Sequence, residues 1–129
     1  TPDGLIPAYY HACDLFVLPS CDNSEGFGLV ILEAHASGKP VISTALPTGV
    51  TFTNLHKKTG IVVSPKDSAA LAGSINHLLA SKDLREEYGN NARIRVGQEF
   101  TKEKMAERIL TLYNLINKRA CGGKKKIFM

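Results

Sequence analysis

Two carboxylates flank a glycine-rich stretch in the first third of the 129-residue chain. Glu25 and Glu33 are eight positions apart, and between them Gly26 and Gly28 lie on either side of Phe27. At a rise of 1.5 Å per residue this separation corresponds to roughly 9 to 12 Å, because Glu25 lies before the predicted helix. The two carboxyls of a glycoside hydrolase are only ~5 to 9.5 Å apart. An acid–base pair for glycoside hydrolysis is therefore disfavoured.

The same stretch favours a site for a phosphorylated ligand. Glycines let a ligand approach the main chain closely. The backbone N–H groups of Phe27, Gly28 and Leu29, at the positive end of the predicted helix dipole, would form an anion site. Carboxylates on either side of such a helix start can accept hydrogen bonds from sugar hydroxyls. A diphosphate with a transferable sugar on one side and a nucleotide ribose on the other fits this arrangement.

Residues 25–41, EGFGLVILEAHASGKPV, resemble the signature of the family 4 retaining glycosyltransferases of the GT-B fold, the glycosyl transferases group 1. That signature places two glutamates in an E-x7-E spacing inside an E-x-F-G and E-A-x-A-x-G-x-P-V string. Residues 12–20, ACDLFVLPS, and 59–67, TGIVVSPKD, resemble the segments before and after it. The resemblance covers nearly everything from 5 to 116 and implies the C-terminal, donor-binding domain of such an enzyme.

The resemblance also implies roles for individual residues. Glu25 would contact the hydroxyls of the donor sugar, which makes it the predicted catalytic residue, and Glu33 would bind the ribose hydroxyls. Main-chain N–H groups between them would face the sugar and the diphosphate. The predicted donor-binding set is Glu25, Gly26, Phe27, Gly28, Leu29 and Glu33. Additional candidates, near strand ends or in the loop after the second strand, where open α/β sheets bind ligands, are Ser20, Thr44 and Gly49.

The implied reaction is transfer of a hexose from a UDP- or GDP-sugar, with retained configuration, to a glycan or lipid-linked acceptor. The family does not need the metal-binding D-x-D motif, and the sequence has none. We therefore expect no metal and no cofactor besides the nucleotide-sugar substrate. The helix dipole and basic side chains would neutralise the leaving diphosphate.

Two departures from the family pattern matter. The loop after the second strand usually carries Gly-Gly and then Pro-Glu, whereas residues 47–52 read PTGVTF and keep one glycine, Gly49. The family's segment before Leu5, with its first strands and an Arg and a Lys for the diphosphate, is missing, as is an N-terminal acceptor domain. We expect the chain alone to be inactive.

Two alternative functions remain. One is another GT-B enzyme, such as a nucleotide-sugar epimerase or a phosphorylase-like protein, and the other is a non-catalytic nucleotide or protein interaction module.

The elements that must position these residues follow from the hydrophobic pattern. Compact apolar runs predict three buried strands, and apolar residues at helical spacing predict helices around them. The strand runs are 15–18, 41–43 and 61–63. Two helices are predicted over about 5–13 and 26–37, and three more are predicted to begin after the caps Asp67, Asp83 (with Glu86 as a capping box) and Thr101. The apolar stripe of the last helix is predicted to be core or an interface with the missing domain. The alternation predicts an α/β fold, an incomplete Rossmann-like parallel sheet with flanking helices.

Length and charge limit the remaining possibilities. The chain holds one domain at most, predicted as a partial nucleotide-sugar-binding domain over 1–117 and a basic tail over 118–129. Five of the 16 basic residues lie in 118–126, so the rest carries 11 against 12 acidic residues, and nucleic acid is not an expected partner. The tail is predicted to be disordered, a cloning remnant, or a contact to acidic lipids.

Cellular location and redox state follow from further absences in the sequence. No apolar run approaches the ~20 residues of a membrane span, and no signal-peptide pattern precedes residue 5. We predict a cytoplasmic protein, with peripheral contact to the cytoplasmic membrane face through the tail. The three cysteines lack metal-site spacing and are predicted to be free thiols. His35 is predicted to be a packed or surface residue and not a catalytic one.

Overall fold

The computed structural model describes residues 3–121, with side chains for 4–118. After a 3-10 turn at Asp3–Leu5 the chain alternates between helices and strands. The helices are α1 (Ile6–Ala12), α2 (Leu29–Ala36), α3 (Val50–Thr53), α4 (Ser68–Ala80), α5 (Lys82–Glu99) and α6 (Lys102–Cys121). The strands are β1 (Phe16–Leu18), β2 (Val41–Thr44) and β3 (Gly60–Val63). The chain divides into two compact units, Thr1–Gly97 and Gln98–Met129, which are described separately.

A three-stranded parallel sheet forms the centre of the first unit. β2 lies between β1 and β3, with Val17 opposite Ile42 and Ile42 opposite Ile61. All four residues of β2 are buried, as expected for a strand covered by helices on both faces. The predicted α/β fold with a parallel sheet and flanking helices is confirmed.

The sheet separates two apolar clusters because successive strand residues point to opposite faces. On one face Val41 packs with residues of α2 and α3, and on the other Ile42 packs with residues of α4 and α5. The first cluster contains Ile31, Ala34, Val41 and Val50, with Tyr10, Phe16 and Leu18 packed against it. The second contains Ile42, Val63, Leu78 and Tyr88. The first cluster packs α2, the helix that follows the glycine-rich stretch, on the sheet.

Helix boundaries differ from the predictions at specific caps. Asp67 caps α4 as predicted, since its carboxylate accepts from the Ala70 N–H at 2.8 Å. The predicted cap Asp83 is wrong: α5 begins at Lys82, and the Ser81 hydroxyl accepts from the Leu84 N–H at 3.3 Å. Ser81 and Asp83 can both cap a helix, and the helix begins directly after the first of them. The loop predicted between the second and third strands contains the short helix α3.

The second unit consists, among its described residues, of the end of α5 and the helix α6. Thr101 caps α6 as predicted, accepting from the Lys104 N–H at 3.2 Å. The predicted stripe is not a core within this unit, because its residues are all between 42% and 60% exposed: Met105, Ile109, Leu112, Tyr113 and Ile116. Its other predicted role, an interface with the missing domain, stays a prediction. The described part of this unit has no second apolar surface that could cover the stripe.

The basic tail falls largely outside the described residues. The backbone of residues 118–121 continues α6, and 122–129 are not described. No helix within the described 3–121 is both long enough and apolar enough to cross a bilayer.

Candidate functional site

The turn before α2 is fixed by the backbone of Gly28. Gly28 has φ 73° and ψ 55°, in the left-handed region, and its carbonyl accepts from the Ile31 N–H at 2.9 Å. A Cβ at this position would lie 3.1 Å from the Ile31 Cδ1 and 3.4 Å from the Val50 Cγ2. The left-handed conformation therefore favours glycine, and a Cβ would also force the Ile31 side chain to shift.

This turn shortens the predicted helix by three residues and shifts its anion-binding end. The helix begins at Leu29 and not at Gly26, so Phe27 lies outside it. The N–H groups at the start of a helix have no acceptor within the helix. Here those groups belong to Gly28, Leu29 and Val30, with the Leu29 side chain exposed above them. Glu25 is half-buried in the loop before this turn.

The loop that departs from the family pattern lies directly against the glycine-rich stretch. The Gly49 N–H donates to the Gly26 carbonyl at 2.7 Å. The Thr53 hydroxyl donates to the Val50 carbonyl at 2.9 Å and lies 3.4 Å from the Phe27 carbonyl. A Cβ on Gly49 would lie 2.7 Å from the Phe27 Cδ2 and 3.0 Å from its Cα. Gly49, predicted as an additional candidate, thus lies beside Phe27 as a support for its backbone.

Arg95 secures this loop from α5. Its Nη1 donates to the Thr53 carbonyl at 2.7 Å and its Nη2 to the Phe52 carbonyl at 2.8 Å. The guanidinium also lies 5.3 Å from the Phe52 ring centroid, a cation–π distance. A cation at the last carbonyls of α3 complements the helix dipole. Sequence reasoning missed Arg95, because 42 positions separate it from Thr53 and no local pattern signals the contact.

Glu33 is exposed on α2, four residues after Leu29 and so about 6 Å along the helix axis. The Tyr10 hydroxyl donates to its Oε2 at 2.9 Å. The Tyr10 ring lies against Phe16, with centroids 5.5 Å apart. Burial, the hydrogen bond to Glu33 and the charge of that carboxylate raise the pKa of Tyr10 to about 12. The hydroxyl therefore keeps its proton at neutral pH and remains a donor.

The remaining candidates lie at the carboxyl ends of the strands. Thr44 is buried, and its hydroxyl donates to the Ser20 carbonyl, which ties the end of β2 to the end of β1. A cavity of about 190 Å³ opens beside this tie. Its lining residues are Pro19, Cys21, Thr44, Val63, Ser64, Lys66, Asp67, Ser68 and Leu71. No residue from Gly26 to Glu33 lines it, so it is distinct from the start of α2.

His35 faces the interior and not the candidate site. Its side chain is 1% exposed, and its Nε2 has no hydrogen-bond partner among the described residues. Burial, and secondarily the charge of Arg95, lower the pKa of His35 to about 4, while a bond to the Thr59 backbone opposes that shift. The imidazole is neutral at pH 7 and packs, in agreement with the prediction. Within residues 3–121 no three His, Cys, Asp or Glu side chains are grouped as metal ligands.

Comparison with known proteins identifies the family. The family described as "Glycosyl transferases group 1" matches residues 1–95. This chain belongs to the glycosyl transferases group 1 family. The match includes every predicted site residue as well as Tyr10 and Arg95, and it ends before α6.

Curated relatives of this group 1 glycosyltransferase chain include enzymes of polysaccharide synthesis. It is 35% identical over 107 residues to the O-antigen chain mannosyltransferase C of Escherichia coli, covering 83% of this chain and 29% of that protein. It is 36% identical over 115 residues to the capsular polysaccharide biosynthesis glycosyltransferase CapM of Staphylococcus aureus, covering 89% and 30%. The chain thus spans less than a third of the length of these relatives.

Solved structures agree with a GT-B, Rossmann-like fold. Sucrose-phosphate synthase from Thermosynechococcus elongatus matches with a TM-score of 0.74 and 40% identity, over 84% of this chain and 26% of that one. Anabaena HepE in complex with UDP matches with a TM-score of 0.77 and 29% identity, over 84% and 29%. A HepE complex with UDP-glucose is also similar, with a TM-score of 0.74, 28% identity and coverage of 82% and 29%. The family match does not favour the alternatives of an epimerase or a non-catalytic module.

Proposed function

We propose that this chain binds the nucleotide-sugar donor in a retaining, family 4 glycosyltransferase that transfers a hexose to a glycan or lipid-linked acceptor. The observation that carries the proposal is the left-handed Gly28, which starts α2 between Glu25 and the exposed Glu33. The same geometry provides main-chain donors for a diphosphate and a carboxylate for a sugar hydroxyl on either side of them. The UDP and UDP-glucose complexes of the similar HepE support it.

In the proposed complex the diphosphate lies at the start of α2. The N–H groups of Gly28, Leu29 and Val30 point along the helix axis, where the dipole favours negative charge. This charge grows as the sugar leaves the diphosphate, and fixed main-chain donors stabilise it without reorganising. The helix start thus lowers the barrier to breaking the bond between sugar and phosphate.

The two carboxylates would grip the two sugars of the donor. Glu33, about one turn from the helix start, would accept from the ribose hydroxyls, and Glu25 from the hydroxyls of the transferred sugar. Gly49 holds the backbone between them through its hydrogen bond to Gly26 and its close contact with Phe27. The spacing of the main chain at the two glutamates is then set by packed backbone.

The rest of the proposed enzyme lies outside this chain. The matched regions cover only 29% and 30% of the two relatives, and we infer that an N-terminal domain binds the acceptor. O-antigen and capsular polysaccharide relatives support a glycan or lipid-linked acceptor. A cytoplasmic enzyme with peripheral contact to the membrane would meet such an acceptor.

The ribose assignment is tested by calorimetric titration of the intact protein with UDP- and GDP-sugars. Because charge-assisted hydrogen bonds contribute ~1.5 to 3 kcal/mol, Glu33→Ala is expected to weaken the preferred donor about ten-fold or more. Glu86→Gln, which changes an exposed carboxylate on α5, is the matched control and should leave affinity unchanged. Undiminished donor affinity in Glu33→Ala would exclude the ribose role.

The role of Glu25 is tested in the same titration by comparing the nucleotide-sugar with the free nucleotide. Glu25→Gln is expected to weaken the nucleotide-sugar, because it touches the transferred sugar, and to leave the affinity for the free diphosphate unchanged. Equal weakening of both ligands would show that Glu25 does not contact the transferred sugar.

A further inference from the structure

The hydrogen bond between Tyr10 and Glu33 joins α1 to the proposed ribose site. We propose that Tyr10 is a positioning residue that holds the Glu33 carboxylate in the orientation in which it accepts the ribose hydroxyls of the donor. This inference rests on the proposed function, because it needs Glu33 to touch the ribose.

The exposed Glu33 side chain needs a hydrogen-bond partner outside α2 to hold it in one orientation. A glutamate exposed on a helix loses up to about 2 kcal/mol of rotamer entropy when its side chain is fixed. Among the described side chains no cation forms an ion pair with Glu33. The Tyr10 hydroxyl, 2.9 Å from Oε2, therefore orders the carboxylate before the ligand arrives, and preorganised groups bind more tightly.

Tyr10 is itself held firmly enough to act as a fixed donor. Its ring is half-buried, is tilted against Phe16, and packs on the cluster that contains Ile31 and Val41. Its hydroxyl lies 3.5 Å from the Val30 carbonyl, a weaker contact than the 2.9 Å bond to Glu33. The donor direction is thus set by packing between α1 and α2.

The bond leaves Glu33 free to bind a ligand. An ionised carboxylate offers about four acceptor positions, and Tyr10 occupies one of those on Oε2. Both positions on Oε1 and the second on Oε2 remain for two ribose hydroxyls. Tyr10 therefore orients the carboxylate without competing with the ribose.

The test is Tyr10→Phe in the intact protein, titrated with UDP, or with GDP if that nucleotide binds more tightly. The ring packing is retained and only the hydroxyl is lost, so Kd is expected to rise about three- to ten-fold, as for one hydrogen bond. Donor KM should rise by a similar factor with kcat nearly unchanged, because the ribose contact is the same in the ground and transition states. Tyr9→Phe, a change at a 65% exposed neighbour on α1, is the matched control and should have no effect.

Two further arms separate positioning from general structural damage. With the 2′,3′-dideoxy nucleotide, which lacks both ribose hydroxyls, Tyr10→Phe and wild type should bind equally. In a Glu33→Gln background, Tyr10→Phe should add no further loss. An equal loss with the dideoxy nucleotide, or a full additional loss in the Glu33→Gln background, would overturn the positioning role.

The outcomes also distinguish this inference from the proposed function. If Glu33→Gln weakens UDP binding and Tyr10→Phe does not, the positioning role is overturned and the ribose assignment stands. If Glu33→Gln itself binds UDP as tightly as wild type, the ribose assignment fails and the role of Tyr10 fails with it.

Discussion

At the scale of single residues, His35 is unusual because a titratable ring is completely enclosed two positions after Glu33. It is buried on the interior side of α2, where the Thr59 backbone bonds to it and the charge of Arg95 acts on it. Neutral imidazole fits there, whereas imidazolium would be a desolvated charge near another cation. Protonation of this one ring should therefore loosen the helix that carries the donor site.

The pKa of His35 is lowered from 6.5 to about 4 in the folded chain. The unfolded chain binds the proton more readily between these values, so the stability from neutral His35 is full above pH 6.5 and is lost as pH falls through 4. The loss should reach about 3 kcal/mol, since each pKa unit corresponds to about 1.36 kcal/mol. Urea unfolding at pH 7 and pH 4 should show it.

Two variants identify the group responsible for this pH dependence. His35→Met fills a similar volume and cannot titrate, so its stability should fall less steeply between pH 7 and pH 4. His77→Gln changes an exposed histidine of α4 and should follow wild type. An equally steep fall in His35→Met would assign the pH dependence to other groups.

At the scale of elements, α5 approaches the loop after α2 as closely as backbone atoms allow. Tyr88, Gly89 and Ala92 form its buried face. A Cβ on Gly89 would lie 2.1 Å from the Gly38 carbonyl oxygen. Gly38, with φ 72°, terminates α2 as predicted. The hydrogen bonds of Arg95 to α3 depend on the same placement of α5.

Gly89→Ala is therefore expected to destabilise the chain by about 1 to 3 kcal/mol, as overpacking does. Gly97→Ala on the same helix is the matched control, because a Cβ there meets nothing within 4 Å. It should stabilise the chain by about 0.5 to 1 kcal/mol through helix propensity. Urea denaturation measures both, and a stabilising Gly89→Ala would disprove the close approach of α5.

Local sequence patterns predicted the helices and strands, but they did not predict contacts between residues far apart in the sequence. The apolar runs, the cap Asp67 and the glycine-rich turn depend on neighbours in sequence, so periodicity and capping rules reach them. The bonds of Tyr10 to Glu33 and of Arg95 to Thr53 span 23 and 42 positions. Periodicity shows which face of a helix is buried but not which side chain it meets.

At the scale of the whole molecule, the strands of the sheet differ in how well their backbone amides are protected from solvent. β2 is hydrogen-bonded along both edges and is entirely buried, whereas β1 is paired on one edge within the described residues. A strand with an unpaired edge opens more readily than a central one. The stability of the Thr1–Gly97 unit is thus concentrated around β2 and the helices packed on it.

Hydrogen exchange of the 129-residue chain should reflect this order. Amides of Val41–Thr44 are expected to exchange slowest and those of Phe16–Leu18 at least ten-fold faster, which mass spectrometry of peptic fragments can measure. In a longer protein with an upstream strand paired to β1, the difference should disappear. Equal protection of β1 and β2 in the 129-residue chain would contradict the observed strand order.

The contact between Gly49 and Phe27 also constrains how this surface can diverge among lineages. Loss of the ring at position 27 would not make room for a Cβ at position 49, because the Phe27 Cα and the Gly26 oxygen would still lie 3.0 and 3.1 Å away. The neighbouring Thr51 is exposed and can vary more freely, whereas the Phe52 ring is held by its contact with Arg95. Related sequences in which the rest of this loop has changed should therefore still carry glycine at position 49, because only glycine is small enough to lie against the backbone of Gly26 and Phe27.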